Sequence, residues 1–99
     1  MLKPKLTVDP NKFPSLYKAL EAFNVCNVLS YMQDPGMGYE DVYVFLIEFL
    51  SDGKYGLCIL NTKTGEFIEE PSTLEDYSIK SIQALYRKYP QLKKRYTCP

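Results

Sequence analysis

Ninety-nine residues, of which 45% are hydrophobic and 24% charged, describe an ordinary folded chain of one domain rather than a disordered one. Formal net charge is zero with a pI near 6.2, which argues against the overall basic character of a dedicated nucleic-acid binder. There is no histidine anywhere, so the commonest general base and the commonest metal ligand are both missing.

Residues 1–13 hold Pro4 and Pro10, show no period and lack the apolar core of a secretory signal, so an irregular lead-in to a soluble, cytoplasmic protein is expected. A helix is expected to begin at Pro14-Ser15, because proline suits the first turn and serine is a favoured cap. Leu16, Ala19, Leu20 and Phe23 then mark one helical face. Val25 to Gln33 admits two readings, a continued helix or a strand running into the Asp34-Pro35-Gly36 turn. The β-branched Val25 and Val28 favour a helix ending near Asn24 and a strand over residues 26–32.

Val42 to Leu50 (VYVFLIEFL) is the clearest strand, rich in β-branched and aromatic residues. Ser51-Asp52-Gly53-Lys54 reads as a hairpin turn, Tyr55 to Leu60 as the return strand, and Asn61 to Glu66 as a second tight turn around Gly65. Glu66 to Glu69 completes a three-stranded meander. The last element is expected to start at Ser72-Thr73-Leu74-Glu75, which has the spacing of a capping box. Ile79, Ile82, Leu85, Tyr86 and Tyr89 give its inner face and Pro90 its end, leaving residues 91–99 as a basic tail. The expected fold is therefore α+β, in the order α-(β)-β-β-β-α, with a small antiparallel sheet flanked by an N-terminal and a C-terminal helix.

In VYVFLIEFL, Tyr43, Phe45, Ile47 and Phe49 point one way, and Val42, Val44, Leu46 and Leu50 the other, interrupted by Glu48. A sheet with one wet face would alternate apolar with polar, so both sides of this strand need cover. Two helices, one per face, supply it; alternatively both helices pack on one side, and the other meets a second copy or a foreign protein. On the second reading Tyr43, Phe45, Phe49 and Tyr55 are the contacts of a sheet-and-tyrosine surface that binds a protein partner or another copy of the chain.

The zero net charge hides segregation. Asp34 to Asp76 carries ten acidic residues against Lys54 and Lys63, a net of −8, whereas Tyr77 to Pro99 carries six basic residues and no acid. Those six are Lys80, Arg87, Lys88, Lys93, Lys94 and Arg95. Lys80 and Arg87 are expected to share a helical face, and the interleaved Tyr86, Tyr89 and Tyr96 could stack on bases, so the second functional reading is a nucleic-acid-associated accessory protein. The same cations also suit a helix C-terminus, where they meet the negative end of the dipole.

Catalytic signals are weak. Glu48 interrupts an apolar face and would be tuned upward if buried, which makes it the one carboxylate on which a third, enzymatic reading could rest. Adjacent acids at Glu40-Asp41, Glu69-Glu70 and Glu75-Asp76 diverge rather than converge, and Gly36-Met37-Gly38 lacks the lysine and helix of a phosphate loop. The three cysteines, Cys26, Cys58 and Cys98, are odd in number and widely spaced, as expected of reduced thiols rather than a disulfide framework or a zinc site. No cofactor, metal or membrane partner is expected, and the leading expectation is a small non-catalytic interaction or regulatory protein.

Overall fold

The segment with the strongest β signal lies at the centre of the molecule. In the computed structural model, which describes residues 5–6, 11–34 and 41–93, the chain runs β1 (Lys5–Leu6), α1 (Pro14–Leu20), β2 (Val25–Gln33), β3 (Val42–Phe49), β4 (Tyr55–Asn61), β5 (Glu66–Thr73) and α2 (Ile82–Lys88). Short 3-10 turns at Leu74–Tyr77 and Pro90–Lys93 flank α2. Strands β2 to β5 form an antiparallel sheet in sequence order, with β3 and β4 inside it, and β1 adds two residues parallel to β2. The α+β order expected from the sequence is thus the observed one, and the 25–33 segment is a strand. Among the described residues no helix is long and apolar enough to cross a membrane.

Both hairpin turns follow from their residues. Gly53 adopts φ +67° while Asp52 accepts a hydrogen bond from the Lys54 N–H, and Gly65 adopts φ +79° while Asn61 Oδ1 accepts from the Lys63 and Thr64 N–H groups. Helix α1 stops four residues earlier than expected. The chain turns at Asn24, whose φ is +54° and whose carbonyl accepts from the Leu50 N–H at 2.8 Å, so Asn24 belongs to the turn into β2.

The C-terminal element departs most from expectation. Ser72 caps no helix; it lies in β5, which runs on to Thr73 instead of stopping at Glu69. Gly56 opposite explains the extension, since a Cβ there would strike the Ser72 carbonyl and the Phe49 ring. Pro71 is tolerated because β5 is an edge strand. Helix α2 begins only after Ser78, at φ +60°, has turned the chain and Ser81 Oγ has accepted the Ala84 N–H at 3.2 Å.

The two faces of β3 are each covered from within the chain. Phe45 and Ile47 join Phe13, Leu16, Leu20, Val28, Tyr31, Cys58 and Leu60 under α1, while Val44 and Leu46 join Leu29, Met32, Leu57, Leu74, Leu85, Tyr89 and Leu92 under α2. Each fully buried side chain of this size contributes roughly 1.5–3 kcal/mol of burial free energy. A bulge in β2 serves the second layer. Val28 sits opposite Ile47 and Ser30 opposite Leu46, so Leu29 is an extra residue and packs on the α2 side beside Ser30. Ser30 is wholly buried, and its hydroxyl donates to the Leu92 carbonyl at 2.7 Å, tying the Pro90–Lys93 turn to the sheet.

Candidate functional site

The four aromatic residues expected to meet a partner divide between the two faces. Phe45 is 0% exposed, with Phe13 edge-on at 5.3 Å, and half-buried Tyr43 also packs on Phe13 at 5.0 Å. Phe49 is half-buried against the same cluster. These three rings fill the space under α1. Tyr55 pairs across strands with Glu48 and so lies on the α2 side, where it stays half-exposed.

The expected basic patch is divided as well. Lys80, Arg87 and Lys88 are exposed, but Lys80 precedes the first residue of α2, so it shares no helical face with Arg87. The physical reason is the late helix start at the Ser81 cap. Lys94 and Arg95 lie outside the described residues, as do Tyr96 and the side chain of Lys93. Of the interleaved tyrosines, Tyr89 is 8% exposed with the Lys88 ammonium 5.5 Å from its ring centre, and burial raises its hydroxyl pKa, helped by the Asp34 and Glu69 charges. Tyr86 is half-exposed.

Glu48 sits half-buried at the margin of the α2 face, where its Oε1 accepts from the Asn27 amide at 3.2 Å and lies 3.9 Å from the Cys26 thiol. Burial and the neighbouring Glu48 charge raise the Cys26 pKa, and complete burial raises that of Cys58. Both thiols are therefore held protonated, the unreactive form. The acids Glu69, Glu70, Glu75 and Asp76 are exposed, while Glu40 and the Gly36-Met37-Gly38 turn lie outside the described residues. Among the described residues no three His, Cys, Asp or Glu side chains converge as a metal site would require.

What does converge is a surface running the length of α2. At its N-terminal end a cleft of about 190 Å³ is lined by Lys54, Tyr55, Leu74, Glu75, Lys80 and Ile82, with Thr73 and Ser81. On its outer side a groove of about 630 Å³ is lined by Ile82, Gln83, Tyr86, Arg87 and Pro90. Ile82 lines both, so the two hollows adjoin along α2. The apolar lining comes from Tyr55, Leu74, Ile82, Tyr86 and Pro90, and the charged lining from Lys54, Lys80 and Arg87 against Glu75 alone. Sequence reasoning singled out Lys80, Arg87 and Tyr55 separately. It missed Lys54 and Ile82, because Lys54 reads as turn chemistry and Ile82 as one more inner-face residue. Comparison with known proteins gives no match, whether to family models, to curated proteins or to solved structures.

Proposed function

We propose that this protein acts by binding rather than by catalysis, and that it takes an acidic, partly apolar segment of a protein in the adjoining hollows along α2. The observation that carries this reading is the pair of hollows that share Ile82, whose lining brings apolar Tyr55, Leu74, Ile82, Tyr86 and Pro90 together with three cations and one carboxylate. Apolar linings accompanied by charge suit protein recognition, because burial of the apolar part supplies affinity and the charges steer and discriminate. Of the expected sheet-and-tyrosine surface this proposal keeps Tyr55, whereas Tyr43, Phe45 and Phe49 serve the packing under α1. A cytoplasmic setting suits the two free thiols among the described residues, which lie on opposite sides of the sheet, Cys58 under α1 and Cys26 beside Glu48.

The test is fluorescence anisotropy with a labelled peptide alternating glutamate and isoleucine. Saturable binding that weakens with salt is expected, and Lys80→Glu and Arg87→Glu should each weaken it about tenfold, equivalent to about 1.4 kcal/mol. Binding indifferent to both reversals would overturn the reading. If a single-stranded DNA of equal charge bound more tightly than the peptide and lost affinity in the same variants, nucleic-acid recognition would take its place.

A further inference from the structure

We infer that the acidic segment is one that the chain itself carries, so that the α2 hollows receive strand β5 of a second copy; this rests on the binding reading above and names its partner. Three observations converge on β5. It is the outer strand of the sheet, and Glu66, Glu69 and Glu70 on it are all exposed. Between them Ile68 is 44% exposed, one of two large hydrophobic residues left in solvent among the described residues, the other being Leu50. Its exposure has a local cause. Phe67 pairs with Leu60 and Glu69 with Ile59, so Ile68 is an extra residue at a register shift, pushed out of the ladder. An apolar knob set among carboxylates matches an apolar lining set among cations.

Charge distribution favours this arrangement at the level of whole segments. From Glu66 to Asp76 there are five acids and no base, and from Tyr77 to Lys93 four bases and no acid. Opposite fields on neighbouring parts of one molecule are complementary between two copies. The connection between them sets the symmetry. The cleft beside α2 contains both Thr73, the last residue of β5, and Ile82, the first of α2. A two-fold axis passing near this cleft carries each β5 onto the other copy's α2, and the contact closes as a dimer with two equal halves. Strand-to-strand extension of the sheet is disfavoured at this edge, because two register shifts and Pro71 interrupt the outward row of backbone groups. Side chains, with Ile68 seated between Ile82 and Tyr86, carry the contact.

Sedimentation equilibrium on the full chain, over a range of concentration and salt, tests the inference. A dimer that dissociates as salt rises is expected. Arg87→Glu should raise its dissociation constant at least about tenfold, and so should the double variant Glu69→Lys, Glu70→Lys. An equimolar mixture of these two variants should regain a dimer, because each then offers the charge that the other reversed. Circular dichroism melting checks that the variants remain folded, as expected for exposed positions. A wild-type chain that stays monomeric at millimolar concentration overturns the inference, as does a dimer indifferent to both reversals or a mixture that fails to reassociate. If that monomer still binds the acidic peptide through Arg87, the binding function stands without the second copy; if it binds nothing, both fall.

Discussion

The two layers of this protein are closed by different means. Under α1 rings meet rings: Phe13 meets Tyr31, Tyr43 and Phe45 edge-on with centroids 4.8, 5.0 and 5.3 Å away, and Phe23 meets Phe67 at 5.4 Å. Such pairs add about 0.5–1.5 kcal/mol each beyond the area they bury. Under α2 the core is mainly aliphatic, and hydrogen bonds position the pieces that cover it: Ser30 to the Leu92 carbonyl, Tyr77 to the Glu70 carbonyl at 2.9 Å, and the Ser81 cap. Both layers end in half-buried residues, Phe23, Tyr43, Phe49 and Phe67 on the α1 side and Tyr55, Ile82 and Tyr86 on the α2 side, and the last three line the hollows beside α2. The difference teaches a division of means, with ring contacts closing one face and aliphatic packing with positioned hydrogen bonds closing the other, beside which the hollows lie.

Substitutions that strain this division should rank accordingly. Phe45→Ala removes a wholly buried ring from the α1 layer, and a loss of about 3–5 kcal/mol in urea unfolding is expected, with peptide affinity of the folded fraction unchanged. A loss under about 1 kcal/mol would break the comparison, since ring contacts would then not be what closes the α1 face. Ser30→Ala leaves the Leu92 carbonyl without its buried donor, and about 1–3 kcal/mol should be lost in the same assay. Unlike Phe45→Ala, this change acts on the α2 side and should weaken peptide binding too.

Alkaline pH probes the α1 layer through Cys58. Burial raises the folded thiol above its ordinary value of 9.0, so the folded state keeps a proton that the unfolded chain releases. The stabilisation is complete below pH 9.0 and declines above it, by up to about 1.4 kcal/mol per pH unit for one such group. Urea midpoints measured across pH 9.0 to 10.0 should therefore fall less steeply for Cys58→Ala than for the unaltered chain. The tyrosine Tyr77 is raised above its ordinary 10.0 by burial and by Glu69, and it adds a second decline at higher pH. The smallest effect is expected from Ser81→Ala, about 1 kcal/mol in thermal unfolding, because a cap is lost from a seven-residue helix. Fraying of α2 should nevertheless reduce peptide binding, which separates the margin from the layer beneath it.

Much of the fold was legible in the sequence because its signals are local. Asp52-Gly53 and Asn61 with Gly65 specify their turns through their own side chains and dihedrals, and VYVFLIEFL declares a strand with two greasy faces wherever it sits. The start of α2 was misread for an equally physical reason. Ser72 and Glu75 have the spacing of a capping box, but Gly56, sixteen residues away, lets β5 run past that point. Of the candidate surface, Lys80, Arg87 and Tyr55 stood out as residues; that Ile82 lines both of their hollows did not, since nothing near Ile82 in the chain encodes it.

By itself, then, the order of residues determined the α+β order of the main elements, where the hairpins turn and that the central strand needs cover on both sides, all of which depend on near neighbours. Only the tertiary structure decided which helix covers which side, how far β5 extends and where the cations end up. Those outcomes hang on contacts such as Ser30 with Leu92, 62 residues apart, and Gly56 with Ser72, which no local pattern announces.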